Sequence, residues 1–547
     1  MTDLMARPVQ AQADRNREQT HSGPEGRRSV RESVQDLVRI AVDDAEPLRR
    51  FWETDIRPRF DESALNHSVL LADGTRTRYA NLDNATTTTP FLRVTREVES
   101  ELCEYGSIRR GAGRKAKIST ARYEETRGTI RRFLNAAETH YVIFTMNTTT
   151  AMNQVAHFFA PIEGKVLVSD MEHSASTLSW IFREGWRQTA DRVTLDAALS
   201  GQTREMNQRI LDRGREQLVT CRATKDFTVD LDDVERILRN QKARGGPERI
   251  KAVVATGASN VTGYKPPLRE LARIAHRYGA MIVVDGCQLL QHERIDMREQ
   301  ELDFVVFSGH KMYAPFGSGV IVGDKRLLDA FWSYQMGGGN FPYLTGQNEV
   351  VRFTSTAAHD PGTPNFPGAR AIHHAIHELQ DIGIDRIASY ERGLVRQALA
   401  GLESIPGVQL AVPADTMRTF DGTMVAFNIR GLPYHLVAEA LDSEYGIGTR
   451  AGAHCVFGFT RRAAGITDDE DARIAEEVRS GRTCCIPGSV RASFCLYNNL
   501  DDVERLVEAV DRIASEPVEQ LMSRYQMNDK TGEWSLRQGL PSPATCS

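Results

Sequence analysis

Six short apolar runs, separated by helical patterns, constrain the fold more than any other feature of this sequence. They lie between residues 141 and 320 and read YVIF, KVLVSD, KAVVATG, MIVVDG, DFVVFSG and GSGVIVG. Both faces of most runs are apolar, as in the strands of a parallel sheet that helices cover on both sides. Helical patterns such as LRELARIAHRYG at 268–279 separate most of them. The sequence therefore predicts an α/β domain built on a large mixed or parallel sheet.

Shifts in composition and patterning divide the rest of the chain. Residues 370–515 alternate helical and strand patterns and end in the helical segment DDVERLVEAVDRI, which predicts a smaller C-terminal α/β domain. A further helix is expected from about Thr120. The predicted segments are a disordered stretch at 1–30, an N-terminal helical extension at 31–78, a large domain at 79–369 with a hairpin-and-helix insertion at about 186–245, a small domain at 370–520 with an insertion at about 456–488, and a loose tail at 521–547.

Charge and cysteine content exclude several classes of protein. The net charge is −5, which argues against a nucleic-acid or anionic-membrane partner. No apolar run reaches about 18 residues, so no membrane span is expected, and the polar first thirty residues do not resemble a secretory signal. Eight scattered cysteines without a paired framework are typical of a cytoplasmic protein with free thiols. We predict no metal site.

Two strand ends carry candidate chemistry. Lys311 follows the strand DFVVFS in the segment DFVVFSGHKMYAPFGSG. A lysine at the end of a buried strand must pair, lower its pKa or form an imine, although a solvated lysine fits the same position. Asp285 ends the strand MIVVD, where a buried carboxylate requires a cation or several donors, or caps the next helix. Gln288 lies three residues further on and is in reach of the same ligand.

From about Tyr79 to Ile513 the chain resembles the class V (fold type I) pyridoxal-phosphate (PLP) enzymes, and it is most similar to group II cysteine desulfurases and selenocysteine lyases. The resemblance implies the PLP-transferase fold type I, PLP as cofactor and a homodimer. The matching stretches, in order, are YANLDNATTTTP, YGSIRRGAGRKAKISTARYEETR, KVLVSDMEHSAS, VVATGASNVTGY, VVDGCQ, FSGHKMYAPFGSG, GGGNF, GTPN, RAGAHC and VRASFCLYNNLDDVERLV.

This resemblance implies roles around the cofactor ring. Lys311 would hold PLP as a Schiff base and move protons, and Asp285 would pair with the pyridinium nitrogen. Gln288 would bond the ring hydroxyl, and His173, in DMEHSAS, would stack on the ring. Asn260, in GASNVTG, would lie near the ring hydroxyl or the substrate. Apart from the resemblance, His173 fits an ordinary loop or helix histidine equally well.

Four residues would bind phosphate. Thr149 lies in NTTTAMN, which follows a strand and opens a helix, so backbone N–H groups and hydroxyls there favour an anion. A simple helix N-cap accounts for the same stretch, and the two uses are compatible. The resemblance adds Ser308 and His310 from the SGHK motif, and Thr363 from GTPN, which would reach the phosphate of the neighbouring subunit.

Three residues would act on the substrate. Arg491, in SVRASFCLYN, would bind the substrate α-carboxylate through two parallel hydrogen bonds, with Arg450 nearby; either fits a surface ion pair as well. Cys455, in RAGAHC, matches the stretch that carries the persulfide cysteine of desulfurases. Neighbouring His454 and Arg450 are candidates for lowering its thiol pKa, whereas a buried structural cysteine is the plainer alternative.

The sequence departs from the family pattern directly after Cys455. A long charged segment, VFGFTRRAAGITDDEDARIAEEVRSGRTCCIPGS, replaces a short connection and contains Cys484 and Cys485. The stretch NTTT also lacks the acidic residue common there. The resemblance implies conversion of L-cysteine to L-alanine, with sulfur passing to the enzyme and then to an acceptor protein or small molecule. Alternatives are an aminotransferase, epimerase or C–S lyase of specialised metabolism, or a catalytically silent binding protein.

Overall fold

The computed structural model describes residues 42–189, 194–199 and 201–537. The chain forms two compact units, which we call central and terminal. Residues 90–259 and 265–384 form the central unit, and the chain up to Thr89 joins residues 260–264 and 385 onward in the terminal unit. The predicted disordered stretch at 1–30 and the start of the predicted N-terminal helix lie outside the described residues.

A seven-stranded sheet forms the centre of the central unit. Its order is β1-β7-β6-β5-β4-β2-β3, and only β7 runs antiparallel to its neighbours. All six predicted strands are present and the predicted mixed sheet is confirmed. The strands are β1 (His140–Thr145), β2 (Lys165–Ser169), β3 (Leu218–Cys221), β4 (Ile250–Thr256), β5 (Met281–Asp285), β6 (Phe304–Ser308) and β7 (Gly319–Asp324).

The strand β3 corrects the prediction of an inserted hairpin at about 186–245. The described part of that segment contains helices and this one strand, which pairs in parallel with β2. β3 is a four-residue edge strand in which Cys221 alone is buried, and a run as short as LVTC fits one arm of a local hairpin as well as a strand of the main sheet.

Helices cover the sheet and bury a continuous apolar core. The predicted helix near Thr120 begins earlier, at Arg114, and the helix predicted at 268–279 spans Leu268–Arg277. The core includes Ile143, Val155, Val254, Val283, Val306 and Ile321. The helices of this unit are Leu92–Leu102, Arg114–Phe133, Thr148–Phe159, Ser174–Gln188, Leu195–Leu199, Arg204–Glu216, Leu231–Arg244, Leu268–Arg277, Lys325–Ala330 and Phe366–Ile382.

The terminal unit has a four-stranded antiparallel sheet in the order β8-β9-β11-β10. Its strands are β8 (Val408–Leu410), β9 (Met424–Ile429), β10 (Arg450–Gly452) and β11 (Ser489–Ser493). The predicted final helix spans Leu500–Ser515 and begins with a capping box between Asn499 and Asp502. The other helices are Val42–Phe51, Glu62–Leu65, Ile384–Ser404, Ala414–Phe420, Tyr434–Tyr445, Phe457–Ala463, Asp468–Arg479 and Val518–Ser523.

Residues near both chain ends differ from the prediction. The expected helical extension at 31–78 ends in a hairpin, Ser68–Leu70 with Arg76–Arg78, because Asp73 and Gly74 (φ +82°) form its turn. Residues 80–81 pair with 447–448, which attaches the segment before Thr89 to the terminal unit.

The described part of the expected loose tail, residues 521–537, is ordered. It forms a hairpin, Tyr525–Met527 with Trp534–Leu536, and Tyr525 is buried and donates a hydrogen bond to Glu444. None of the helices in the described ranges is long and apolar enough to cross a bilayer.

Candidate active site

The topology of the central sheet gathers most predicted cofactor residues at one edge. β1, β2, β4, β5 and β6 run in the same direction, so their carboxyl ends meet along that edge. Ligands of open α/β sheets bind outside these ends. The residues placed there are Thr149 after β1, His173 after β2, Asp285 and Gln288 at and after β5, and Ser308, His310 and Lys311 at and after β6.

Asp285 has a buried carboxyl group with hydrogen-bond donors but no cation beside it. Its carboxylate accepts a hydrogen bond from Ser176 Oγ at 3.1 Å and another from the Cys287 N–H at 3.1 Å. No Lys, Arg or His of the described chain forms an ion pair with it. A buried carboxylate of this kind fits a protonated ring nitrogen. The Cys287 contact shows that Asp285 also stabilises its own turn, but residues 287–292 form turns, so Asp285 does not cap a helix as the alternative expected.

Lys311 ends a single 3₁₀ turn, Gly309–Lys311, directly after β6. It is half-buried, and the following residues Tyr313 and Phe316 adopt positive φ values of 62° and 76°. Such backbone is uncommon for bulky residues and costs about 1–3 kcal/mol each, which is typical of loops that fix a functional group. Tyr313 also stacks on Phe91 at 4.3 Å. The loop therefore holds Lys311 at a fixed place on the sheet edge.

The candidates for binding phosphate offer different hydrogen-bond donors. Asn147 caps the helix Thr148–Phe159 by accepting from the Thr150 N–H at 2.9 Å, which leaves the first-turn N–H groups around exposed Thr149 available to an anion. Burial and the charge of Lys311 lower the pKa of His310 to about 4. His310 is therefore neutral near pH 7, so it can offer an anion a hydrogen-bond donor but no positive charge.

Thr148, the first residue of the helix after β1, also lies at this edge. Its Oγ1 lies 2.7 Å from Cys287 Sγ, which links the end of β1 to the turn that follows Asp285. Thr363 is exposed in a loop and lines, together with Thr150, a cavity of about 230 Å³ in the central unit.

His173 caps the helix Ser174–Gln188, and its Nδ1 accepts from the Ala175 N–H at 3.1 Å. This bond requires the proton to lie on Nε2 and fixes the ring orientation. Next to it lies Glu172, which the sequence analysis missed. Glu172 is buried, accepts from Ser169 Oγ at 2.7 Å, and has its pKa raised to about 8 by burial and by the charge of Asp285. Its signal was an acidic residue three positions after a buried strand.

The terminal unit gathers the predicted substrate residues. Arg491, on β11, is buried and donates to the carbonyl of Asn260 at 2.8 Å and to Asp83 at 2.7 Å. Burial lowers the pKa of Arg491 to about 10, against the opposing charge of Asp83, so the guanidinium stays protonated at neutral pH. Asn260 in turn donates from Nδ2 to the carbonyl of His454 at 2.7 Å. Arg450 lies opposite Arg491 in the pairing of β10 with β11.

Cys455 and His454 lie in a strained turn. Their φ values are 60° and 53°, and Cys455 is half-buried. Burial and the nearby charges of Arg491 and Arg450 lower the pKa of His454 to about 3, and its Nε2 lies 3.1 Å from Ser489 Oγ. His454 is therefore neutral near pH 7, because it is buried beside two arginines, and the expectation that it lowers the thiol pKa of Cys455 stays a prediction.

The residues at the sheet edge fit PLP. Asp285 offers an unpaired anion for a pyridinium nitrogen, Lys311 offers an amine for the aldehyde, and the helix start at Thr148 offers N–H groups for the phosphate. Among the residues that the structure covers, no cluster of three His, Cys, Asp or Glu side chains is arranged to hold a metal ion.

Comparisons with known proteins agree with this arrangement. The chain matches the family model "Aminotransferase class-V" over residues 80–246 and 207–506. It is 31% identical to a probable cysteine desulfurase of Halalkalibacterium halodurans over 79% of this chain and 92% of that protein, and 29% identical to a cysteine desulfurase of Dickeya dadantii over 79% and 92%.

Solved structures extend the likeness to the fold. A cysteine desulfurase from Escherichia coli is 26% identical with a TM-score of 0.62, covering 79% of this chain and 94% of the other. One from Thermococcus onnurineus is 25% identical with a TM-score of 0.64, covering 80% and 94%. The predicted PLP-transferase fold type I is thereby confirmed. The chain belongs to the aminotransferase class-V family of PLP-dependent enzymes.

Proposed function

We propose that this enzyme is a cysteine desulfurase that converts L-cysteine to L-alanine and keeps the sulfur as a persulfide on Cys455. The observation that carries the proposal is the placement of Cys455. The terminal unit holds Cys455 half-buried in a strained turn, next to His454. The His454 carbonyl accepts from Asn260 Nδ2, and the Asn260 carbonyl accepts from Arg491 Nη1, so hydrogen bonds connect this turn to Arg491. The desulfurase relatives described above support the same reaction.

Each residue then has a defined task. Arg491 and Arg450 bind the substrate carboxylate, and Lys311 moves protons at the substrate Cα. When bound, PLP supplies an electron sink for the bonds at that carbon. The Cys455 thiolate attacks the substrate sulfur, so that an S–S bond forms as the Cβ–S bond breaks. In the balanced reaction, L-cysteine and the enzyme thiol give L-alanine and the enzyme persulfide.

We further propose that the enzyme is a homodimer. Three large apolar side chains on the helix Ser174–Gln188 are exposed and spaced four residues apart: Leu178 (47%), Phe182 (43%) and Trp186 (50%). Arg183 of the same helix lies over the ring of Tyr334 at 5.3 Å. An exposed apolar stripe of this kind favours a protein interface, and a second copy is the partner that the resemblance implies.

We also propose that the enzyme is cytoplasmic. None of the cysteines in the described ranges forms a disulfide, and Cys484 and Cys485 stand side by side in the chain. Thiols in this number persist in a reducing compartment. The persulfide would pass to an acceptor protein or to a small thiol.

The test is to incubate the purified enzyme with L-cysteine and measure alanine and sulfide together. Mass spectrometry should find one additional sulfur on the peptide that contains Cys455. Cys455→Ala should bind cysteine, as seen in the absorbance of the cofactor, but release no alanine. Cys103→Ala, which alters an exposed cysteine of the central unit, is the matched control and should behave as wild type.

A second candidate is another class V activity on an amino acid, such as an aminotransferase, epimerase or C–S lyase. Two helices in the segment after Cys455 favour it, Phe457–Ala463 and Asp468–Arg479. They replace the short connection that the family resemblance implies there, so the surroundings of Cys455 differ from the family pattern. Product analysis separates the two. Full activity of Cys455→Ala on some amino acid, with no sulfur on any cysteine, would replace the desulfurase proposal with this one.

A further inference from the structure

The two predicted substrate arginines of the terminal unit, Arg450 and Arg491, form one hydrogen-bonded cluster with Thr86 and Asp83. Thr86 Oγ1 accepts from Arg450 Nη1 at 3.0 Å and from Arg491 Nη2 at 3.2 Å, and it donates to Asp83 Oδ1 at 2.8 Å. Arg491 Nη2 also donates directly to the same Asp83 oxygen at 2.7 Å. A single carboxylate therefore serves both guanidinium groups, one directly and one through a threonine.

The backbone fixes this carboxylate relative to Arg491. Asp83 forms a parallel bridge with Ser493, two residues beyond Arg491 on β11. Around it, the Ser493 N–H donates to the Leu82 carbonyl at 2.7 Å, and the Ala85 N–H donates to Ser493 Oγ at 2.9 Å. The loop of Asp83 and the strand of Arg491 are thus one hydrogen-bonded piece, unlike a pair of mobile surface side chains.

The charges and donors of the cluster are not balanced. Two guanidinium groups face one carboxylate, and no other ion pair to Arg450 or Arg491 occurs among the described residues. Arg491 is also 1% exposed, and its Nε is buried with no hydrogen-bond partner in the described chain. Within the described chain, one positive charge of the cluster therefore has no counterion and the Arg491 Nε–H has no acceptor. The carboxylate of an amino acid would provide the counterion and the acceptor.

We infer that Asp83 is a positioning residue for Arg491 that also weakens the hold of this site on an incoming carboxylate. It holds the guanidinium in one orientation through the hydrogen bond to Nη2, and its own charge offsets part of the attraction that two arginines exert. The inference rests on the proposed function only in taking Arg491 as the carboxylate-binding residue. A site with this internal anion releases its amino-acid product more readily than two unopposed arginines would.

Two substitutions separate orientation from charge. Asp83→Asn keeps a side-chain oxygen that accepts from Arg491 but removes the charge, whereas Asp83→Ala removes both. We expect Asp83→Asn to bind L-alanine roughly tenfold more tightly, because the carboxylate then meets no nearby anion in a poorly solvated site. Asp83→Ala should lose that gain, since Arg491 is no longer held in place.

The measurement is the dissociation constant of L-alanine for the holoenzyme, followed by the visible absorbance of the bound cofactor. L-alaninamide, which lacks the carboxylate, is the ligand control and should bind Asp83→Asn and wild type equally. Asp73→Asn is the matched variant, since it removes an exposed carboxylate of the same unit, and it should leave both constants unchanged. With L-cysteine, KM of Asp83→Asn should fall, and kcat should fall as well when product release becomes limiting.

The inference is overturned if Asp83→Asn binds L-alanine no more tightly than wild type, if Asp83→Ala matches Asp83→Asn, or if the amide responds as the carboxylate does. These outcomes differ from failure of the proposed function. A class V enzyme that is not a desulfurase would release no alanine from cysteine but would still show the predicted carboxylate dependence.

Discussion

Replacing Glu172 with glutamine tests how the buried carboxyl beside His173 is protonated. One oxygen of Glu172 accepts from Ser169 Oγ, and the other is buried with no hydrogen-bond partner within the described residues. Burial, with the nearby charge of Asp285, raises the pKa of Glu172 from 4.5 to about 8. Near pH 7 the folded enzyme therefore holds a proton at Glu172 that the unfolded chain releases.

The sign and size of the effect follow from that difference. Between pH 4.5 and about 8 the folded state binds one more proton than the unfolded state, so the stability that Glu172 contributes is complete below pH 4.5 and is lost as pH rises. Each pH unit removes about 1.4 kcal/mol, which amounts to roughly 3–5 kcal/mol by pH 8. Glutamine cannot ionise, but its buried NH₂ group needs an acceptor, which costs about 1–3 kcal/mol at every pH. Glu172→Gln should therefore be less stable than wild type at pH 5 and more stable at pH 8.

The assay is thermal unfolding of both proteins between pH 5 and pH 9, with and without cofactor, comparing midpoints because a two-unit chain need not unfold in one step. Glu163→Gln, at an exposed position of the same unit, is the control and should show no crossing. If the unfolding midpoints of Glu172→Gln and wild type differ by the same amount from pH 5 to pH 9, Glu172 is ionised in the folded enzyme and the reasoning is refuted.

Three further predictions concern the central unit. Lys311→Ala should remain folded by circular dichroism but lose turnover and the absorbance of covalently held cofactor; a variant that retains both would remove Lys311 from its role. Asp285→Asn should lower kcat more than tenfold at matched PLP occupancy, since a neutral amide does not hold a ring nitrogen protonated; unchanged turnover would leave Asp285 as a turn residue. Burial lowers the pKa of His373 to about 3 and that of His359 to about 4, so the unfolded state binds more protons below pH 6.5 and the unfolding midpoint should fall as pH drops from 7 to 5. His373→Gln should reduce that slope; an identical slope would show that His373 is not the responsible group.

The predicted sheet and the observed one agree where burial on both faces fixes the pattern. The inner strands, such as Met281–Asp285 and Phe304–Ser308, are apolar at nearly every position, because helices cover both sides. The edge strand Leu218–Cys221 is only four residues long, so its run LVTC fits one arm of a local hairpin as well as a strand of the main sheet. Similarly, the hairpin Tyr525–Met527 with Trp534–Leu536 depends on a contact between Tyr525 and Glu444, 81 residues apart, which no local pattern predicts.

The same distinction separates the site residues that the sequence could predict from those it could not. Asp285 ends one apolar strand and Lys311 follows the next, and parallel strands bring their carboxyl ends together, so the order of elements alone places both at one edge. Asp83 and Arg491 are 408 residues apart and meet only because the loop of Asp83 pairs with Ser493 beside β11. Motifs thus predict a group that performs chemistry, whereas the residue that orients it depends on tertiary pairing. Since Asp83→Asn preserves the oxygen that accepts from Arg491, a change in carboxylate affinity in that variant would measure the charge of this partner apart from its place in the fold.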